Sequence, residues 1–242
     1  MVLLLPGPSW PLLDFVKPLC NDALSPSAFK INSHPIFVET LTAEASLTHE
    51  VRTAFVVWDG SIVLSKWMQQ ATEDGNLSFA GSNVVEIGAG CAIPSIAARR
   101  LGAKHVTATD YQDALHSTIS TIRINSIDSI GTVALDWNAS NKDSTLCEIK
   151  RLQMGQDIDF ILGSDVVWIM SLVKPFVDTL VTLLHSPKTV AYIAHQTRSL
   201  RVDEELFSLL TDANIAYRTV TESLHPVYSN SLIKIYEMKK RD

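Results

Sequence analysis

The sequence predicts an α/β fold: a doubly wound, mostly parallel sheet of seven strands with an antiparallel closing strand. Three observations carry this expectation. First, apolar, β-rich runs alternate with amphipathic stretches from Asn83 onward, and four of the runs end at or near an acid, at Glu86, Asp110, Asp136 and Asp165. The intervals of 24, 26 and 29 residues each suit one strand, one helix and their loops. Second, the stretch VVEIGAGCAIP, residues 84–94, sets Gly88-Ala89-Gly90 between a strand-like run and a helix start with Pro94 in its first turn. Third, the last two runs, Ile215–Val220 and Ser231–Met238, alternate with period two, as an antiparallel pair does. In such a sheet the carboxyl ends of the strands share one edge, where ligands bind at the topological switch point.

The elements follow in order. Residues 1–50 read as a Pro- and Ser-containing N-terminal arm or hairpin, ahead of a single globular unit over 51–242. The arm holds one expected strand, His34–Thr40; Thr53–Trp58 (TAFVVW) reads as a second strand that can pair with it. Asp59 is placed to cap a helix whose apolar face is Ile62, Val63, Trp67 and Met68. Strand one is Asn83–Ile87, and Gly102 ends the helix that starts near Pro94. Strand two is His105–Thr109, followed by a helix over Ala114–Ser126, then strand three, Thr132–Leu135. Ser140–Asp157 holds a short helix at best. Strand four, Ile158–Gly163, is apolar enough to be buried on both faces. A helix through Val181 and Leu184, strand five at Thr189–Ala194 and a helix over Val202–Asp212 lead to the closing pair.

Charge and composition exclude several classes. Lys plus Arg is 20 against 26 Asp plus Glu, a net charge of −6 with no concentrated basic face, so direct nucleic-acid binding is not expected. The opening MVLLLPGPSWPLL is interrupted by Pro6 and Pro8 and lacks the basic start of a secretory leader. Leu172–Leu184 contains Lys174, Pro175 and Asp178 and reads as amphipathic, so no membrane association is expected. Cys20, Cys91 and Cys147 are odd in number and far apart, which fits free thiols in a reducing compartment, the cytoplasm or also the nucleus. The seven histidines show no zinc-type spacing, and there is no G-x-S-x-G and no P-loop.

Chemistry concentrates on the expected carboxyl edge. The glycines of the first turn permit close approach of a ligand to a helix N-terminus. A dinucleotide fingerprint wants glycine where Ile93 stands, which argues against a dehydrogenase. Glu86 either faces a ligand or pairs with neighbouring backbone, since a charge at the end of a buried strand is otherwise costly. Asp110 suits both hydroxyls of a ribose, or caps the next helix. Asp165 can serve a site or cap a helix, and Trp168 can serve a site or pack in the core. His195, Gln196 and Arg198 follow strand five on the same edge and are candidates for substrate contact.

The segments VVEIGAGCAIPSIAARRLGA, VTATD, LDW and DFILGSDVVW resemble the class I, seven-β-strand methyltransferases that use S-adenosyl-L-methionine, with their Rossmann-like sheet. More narrowly they resemble the methyltransferase-like protein lysine methyltransferases that modify chaperones, elongation factors and similar cytosolic proteins. VVWDGSIVLSKWM and SLIKIYEMKK are similar to the family's first core helix and last strand, so the likeness runs from about Phe55 to Lys239. The resemblance implies that Trp58 flanks the cofactor, that Glu86, Gly88 and Gly90 hold its methionine end, and that Asp110 binds its ribose. It implies further that Trp137 lies against the adenine, that Ser164 lies near the sulfonium, and that Asp165 and Trp168 stand beside the substrate amine. Two departures are visible. Ala92 replaces the third glycine of Gly-x-Gly-x-Gly, and Trp168 replaces the tyrosine of Asp-x-x-Tyr. Tryptophan keeps an aromatic face for a cation but has no hydroxyl acceptor. The expected activity is methylation of a protein lysine; the alternatives are a protein arginine or small-molecule methyltransferase, or a non-catalytic module that retains the cofactor pocket.

Overall fold

The computed structural model of the chain describes residues 2–4, 29–39, 52–139 and 142–241. Short strands open it. β1 (Val2–Leu4), β2 (Lys30–Ile31), β3 (His34–Pro35) and β4 (Phe37–Glu39) form two antiparallel pairs, β1 with β4 and β2 with β3. Asn32 and Ser33 both take positive φ, as a two-residue hairpin turn requires. Phe29, Ile31, Ile36 and Val38 are buried in the same core as the main sheet. Arg100 donates to the carbonyls of His34 and Pro35, and Lys66 donates to the Lys30 carbonyl while its ammonium lies 5.2 Å and 5.1 Å over the rings of Phe29 and Tyr228. The described part of the arm is therefore fastened to the body. The rest of the expected strand, Thr40, lies outside the described residues.

The body is a seven-stranded sheet with helices on both faces. In chain order it runs α1 (Asp59–Glu73), β5 (Asn83–Ile87), α2 (Ile93–Arg100), β6 (His105–Asp110), α3 (Leu115–Ile124), β7 (Ile130–Ala134), α4 (Lys142–Leu152), β8 (Phe160–Ser164), α5 (Met170–Leu183), β9 (Val190–Gln196), α6 (Leu200–Asp212), β10 (Ile215–Thr219) and β11 (Ile233–Lys240). The strand order is β10-β11-β9-β8-β5-β6-β7. Strands β9, β8, β5, β6 and β7 are mutually parallel, and β11 is antiparallel to both neighbours. The expected fold class holds. Period two along the fully buried β5 sends Val84 and Glu86 to the face covered by α1 and α2, and Val85 and Ile87 to the face covered by α5. The chain winds one way from β5 to β7 and the other way from β8 to β9, so the switch point lies between β5 and β8.

Three expectations fail. Asp59 does not cap α1 but is its first residue, with Trp58 at the N-cap. Thr53–Trp58 is not a strand. Its polar backbone is satisfied locally, by Phe55 and Val56 amides donating to Arg52 and Thr53 and by the Trp58 indole donating to the Thr53 carbonyl. It folds as turns packed against the residues after β5, which its β-branched composition did not reveal. Ser140–Asp157 carries a full helix, α4, rather than a short one. Leu146, Ile149 and Leu152 give it a narrow apolar face that packs on the sheet, and its last turn holds Lys150 and Arg151. The closing pair forms, but β11 is inserted between β9 and β10 and so has neighbours on both sides. No helix among the described residues is long and apolar enough to cross a membrane.

Ala92, at the third glycine position, adopts φ 54 and is fully buried. The left-handed turn is thus kept by a residue with a Cβ. Ala92→Gly trades opposing terms. Relief of about 1–2 kcal/mol of left-handed strain is offset by the lost buried methyl and by greater unfolded-chain freedom. Thermal melts of the variant are expected to fall within ~3 °C of wild type.

Candidate active site

A cavity of about 360 Å³ opens at the carboxyl edge of the sheet, beside the β5/β8 switch, in the size range of small-molecule sites. Five chain segments wall it: the turns before α1 and after β5, β6, β7 and β8. Of the nine residues to which the resemblance gives a role, Trp58, Gly88, Gly90, Asp110, Trp137, Ser164, Asp165 and Trp168 line this one cavity. Glu86 does not; it lies behind the wall, fully buried. Asp136 stays out of the wall and caps the turn of Asn138.

Gly88 has no room for a side chain. Its φ is 64, and a Cβ there would sit 2.7 Å from Val166 Cγ1 and 3.5 Å from Trp137 Cζ2. The cradle is open only because the residue lacks a Cβ. Asp110 holds this turn shut from below: Oδ2 accepts the Gly90 amide at 2.7 Å and Oδ1 accepts the Tyr111 amide at 2.7 Å. Burial raises the Asp110 carboxyl above its ordinary range, opposed by those two amides. Each carboxylate oxygen has a further lone pair, so hydroxyl donors can still be accepted.

Glu86 Oε2 accepts both the amide and the hydroxyl of Ser95 in α2, while Oε1 has no hydrogen-bond partner among the described residues. Burial, with the Asp110 charge adding, pushes its carboxyl up to about 8. The folded protein therefore holds a proton that the unfolded chain releases above about 4.5, and stability falls as pH rises through that window. Glu86→Gln is expected to remove this loss. Melts of the ligand-free variant should match wild type near pH 5 and exceed it by on the order of 3 kcal/mol near pH 8. Parallel pH profiles would show Glu86 ionised in the fold.

Asp165 does cap a helix, but not its own. Its backbone takes φ 52, and its side chain, 1% exposed, turns to the start of α1. Oδ2 accepts the Gly60 amide at 3.0 Å and Oδ1 accepts the Gln196 amide at 3.2 Å. Trp58, the N-cap of α1, offers no side-chain bond there, so the distant carboxylate takes that role. A Cβ on Gly60 would stand 2.7 Å from Asp165 Oδ2. Burial raises the Asp165 carboxyl, with Gly60, Arg198 and Gln196 pulling it down. Asp59 is raised too, by burial and by the Asp165 charge.

Trp58 forms a fixed wall: its indole N–H donates to the Thr53 carbonyl at 3.0 Å, and the Arg198 guanidinium lies 5.1 Å over its ring. Trp137 packs edge-on against Phe176 at 5.7 Å. His195, Gln196 and Arg198 do not line the cavity. His195 is buried and bonded to Asp203 at 2.8 Å, and the other two contact Asp165 from behind. Sequence reasoning missed Tyr111, Asn138, Thr53, Val56 and Ile169, which all line the wall. Tyr111 and Asn138 were signalled only by adjacency to Asp110 and Trp137. No cluster among the described residues could hold a metal ion.

These residues fit S-adenosylmethionine. The side-chain-free turn at Gly88, the acid at the end of β6, and apolar walls from Ile93, Leu135 and Trp137 match a ligand with amino-acid, ribose and aromatic parts. The family model described as "Lysine methyltransferase" matches residues 39–213. Protein N-lysine methyltransferase METTL21A of Xenopus tropicalis is 28% identical over 208 residues, covering 82% of this chain and 85% of that protein. The Mus musculus METTL21A is 30% identical over 203 residues, covering 80% of each. EEF1A lysine methyltransferase 3 of Xenopus tropicalis is 30% identical, over 59% of this chain and 57% of that one. Among solved structures, a ribosomal protein L11 methylase from Lactobacillus delbrueckii superposes with a TM-score of 0.52 at 15% identity, covering 78% of this chain and 81% of that one. A magnesium protoporphyrin IX methyltransferase from Synechocystis, with bound cofactor, also gives 0.52, at 13% identity and covering 82% and 86%. At such identity these two share the fold alone. The family match spans most of the chain, and the protein belongs to the lysine methyltransferase family, as an S-adenosylmethionine-dependent enzyme of the seven-strand class.

Proposed function

We propose that the cavity binds S-adenosylmethionine and serves methylation of a lysine on a cytosolic protein, of the chaperone or translation-factor kind. The observation that supports this best is the Asp110–Gly90 pairing, which fixes a glycine cradle next to an acid at the end of β6. Gly88 and Gly90, with Glu86 behind them, hold the methionine end. Asp110 takes the ribose, Trp137 faces the adenine, and Trp58 and Ser164 flank the sulfonium side.

When bound, the cofactor supplies a methyl group already activated by its positive sulfur. The chain's own task is then to position and desolvate the acceptor. A lysine ammonium, pKa roughly 10.4, must lose its proton, and a poorly hydrating wall disfavours the charged form. Trp168, Ile169, Leu172 and Val56 provide that wall. The Trp168 ring attracts the arriving cation, by ~0.5–2 kcal/mol. Asp165 contributes by position. Its carboxylate locks the start of α1 to the exit of β8, and its left-handed turn presents Ser164, Val166 and Trp168 to the cavity.

The test is labelling of cell lysate with purified protein and radiolabelled S-adenosylmethionine, followed by amino-acid analysis of the product. A discrete band yielding methyl-lysine is expected. Methyl-arginine, or label confined to small molecules, would reassign the acceptor. Binding of S-adenosylhomocysteine without any labelled product would leave a cofactor-holding module instead.

A further inference from the structure

Helix α3 stands outside the cavity wall, yet two of its side chains reach two segments of that wall. Ser117 and Thr118 are fully buried, and neither lines the cavity. The Thr118 hydroxyl donates to the Gly90 carbonyl at 2.8 Å. The Ser117 hydroxyl donates at 2.9 Å to the Ala54 carbonyl, which also accepts from Cys91 Sγ at 3.5 Å. Ala54, Gly90 and Cys91 all line the cavity.

These bonds are not the ordinary use of a helical hydroxyl. A serine or threonine inside a helix either faces water or donates to the carbonyl one turn earlier. Thr72 in α1, Thr179 and Thr182 in α5 and Thr211 in α6 each donate to the carbonyl four residues before. Ser117 and Thr118 donate outside their helix instead. A buried hydroxyl is costly unless bonded, so each is tied to its wall carbonyl.

Gly90 is thus gripped on both sides. Asp110 Oδ2 takes its amide at 2.7 Å, and Thr118 holds its carbonyl. Its φ is 49, and a Cβ there would stand 3.3 Å from the Ala54 oxygen that Ser117 holds. The glycine turn after β5 and the turn before α1 therefore touch, and consecutive residues of one helix fasten both. Without the Thr118 hydroxyl, the Gly90 carbonyl is satisfied only by turning to water. A bound cofactor must then displace that water and restore the turn.

We infer that Ser117 and Thr118 are positioning residues for the cofactor, joining the glycine turn and the turn before α1 into one wall. This rests on the proposed cofactor site and adds two residues that lie behind it. The test is calorimetric titration of the full chain with S-adenosylhomocysteine, at a temperature where each variant is folded. Thr118→Val keeps the shape and loses the hydroxyl; it is expected to bind about tenfold more weakly. Thr118→Ser keeps the hydroxyl and loses a buried methyl; it should melt lower yet bind within about threefold of wild type. Affinity that follows the hydroxyl, rather than the melting midpoint, separates positioning from mere stability. Thr118→Val binding as wild type does, or Thr118→Ser weakening as much as Thr118→Val, overturns the inference. Ser117→Ala removes a single atom and tests the same wall if Thr118→Val does not fold. Its amides over residues 53–58 should exchange hydrogen about fivefold faster or more, with those of β9 unchanged. Wild-type exchange rates over 53–58 in that variant would refute the joined wall. Wild-type protein that fails to bind S-adenosylhomocysteine removes the cofactor site itself, and these two roles with it.

Discussion

Gly88→Ala is expected to reduce affinity for S-adenosylhomocysteine by about 100-fold or more in calorimetric titration. Two costs add at one atom. The residue sits at φ 64, where a Cβ costs about 1–2 kcal/mol, and that Cβ would stand 2.7 Å from Val166 Cγ1. Overpacking a tight wall adds roughly 1–3 kcal/mol. The strain is relieved by shifting the turn or Val166, both of which face the cavity, so ~3 kcal/mol of it reaches the bound state. Ala92→Gly, four residues on, serves as the control, since it restores a glycine at a position already left-handed. Affinity within threefold of wild type in Gly88→Ala would sink the cradle assignment.

Asp165→Ala is expected to lower both stability and turnover. Two buried amides, those of Gly60 and Gln196, lose their acceptor, and α1 loses its cap. Together these are worth ~2–4 kcal/mol, or a fall of ~5–15 °C in the melting midpoint. The Ser164-to-Trp168 turn is then free to shift, and a displacement of about 1 Å at a reacting site can cost 100-fold in rate. Asp165→Asn keeps one acceptor oxygen and should fall between the two in both measurements. A variant Asp165→Asn with normal melting but no turnover would instead place the carboxylate in direct contact with the amine.

Much of this architecture was legible because burial leaves a simple signature. Strands covered on both faces run to apolar residues, and β8 stood out for that reason, whereas β5 and β6 were marked by the glycine turn and the acids at their ends. The site was legible through recurrence: the acids fall at strand ends, and parallel winding brings those ends together. What escaped was set by non-local contacts. Thr53–Trp58 has strand-like composition, yet its place is decided by the turn after β5 and by α3, where the Ala54 carbonyl accepts from Cys91 Sγ and from the Ser117 hydroxyl. The partner of Asp165 was equally hidden. A capping carboxylate is normally sought within a few residues of its helix, and here the helix comes far earlier in the chain, before β5.

That separation bears on how the chain becomes structured. Asp165 and the Gly60 amide are 105 residues apart in sequence. A nascent chain extending only through β7 has α1 but not its cap, so the first turn of α1 is left with water as its acceptor until β8 pairs with β5. The strand that completes the sheet's centre and the residue that completes the first helix thus arrive together. A fragment ending before residue 165 should show a frayed α1 start by hydrogen exchange, and closure of the cavity wall should coincide with the last cooperative step of folding rather than precede it.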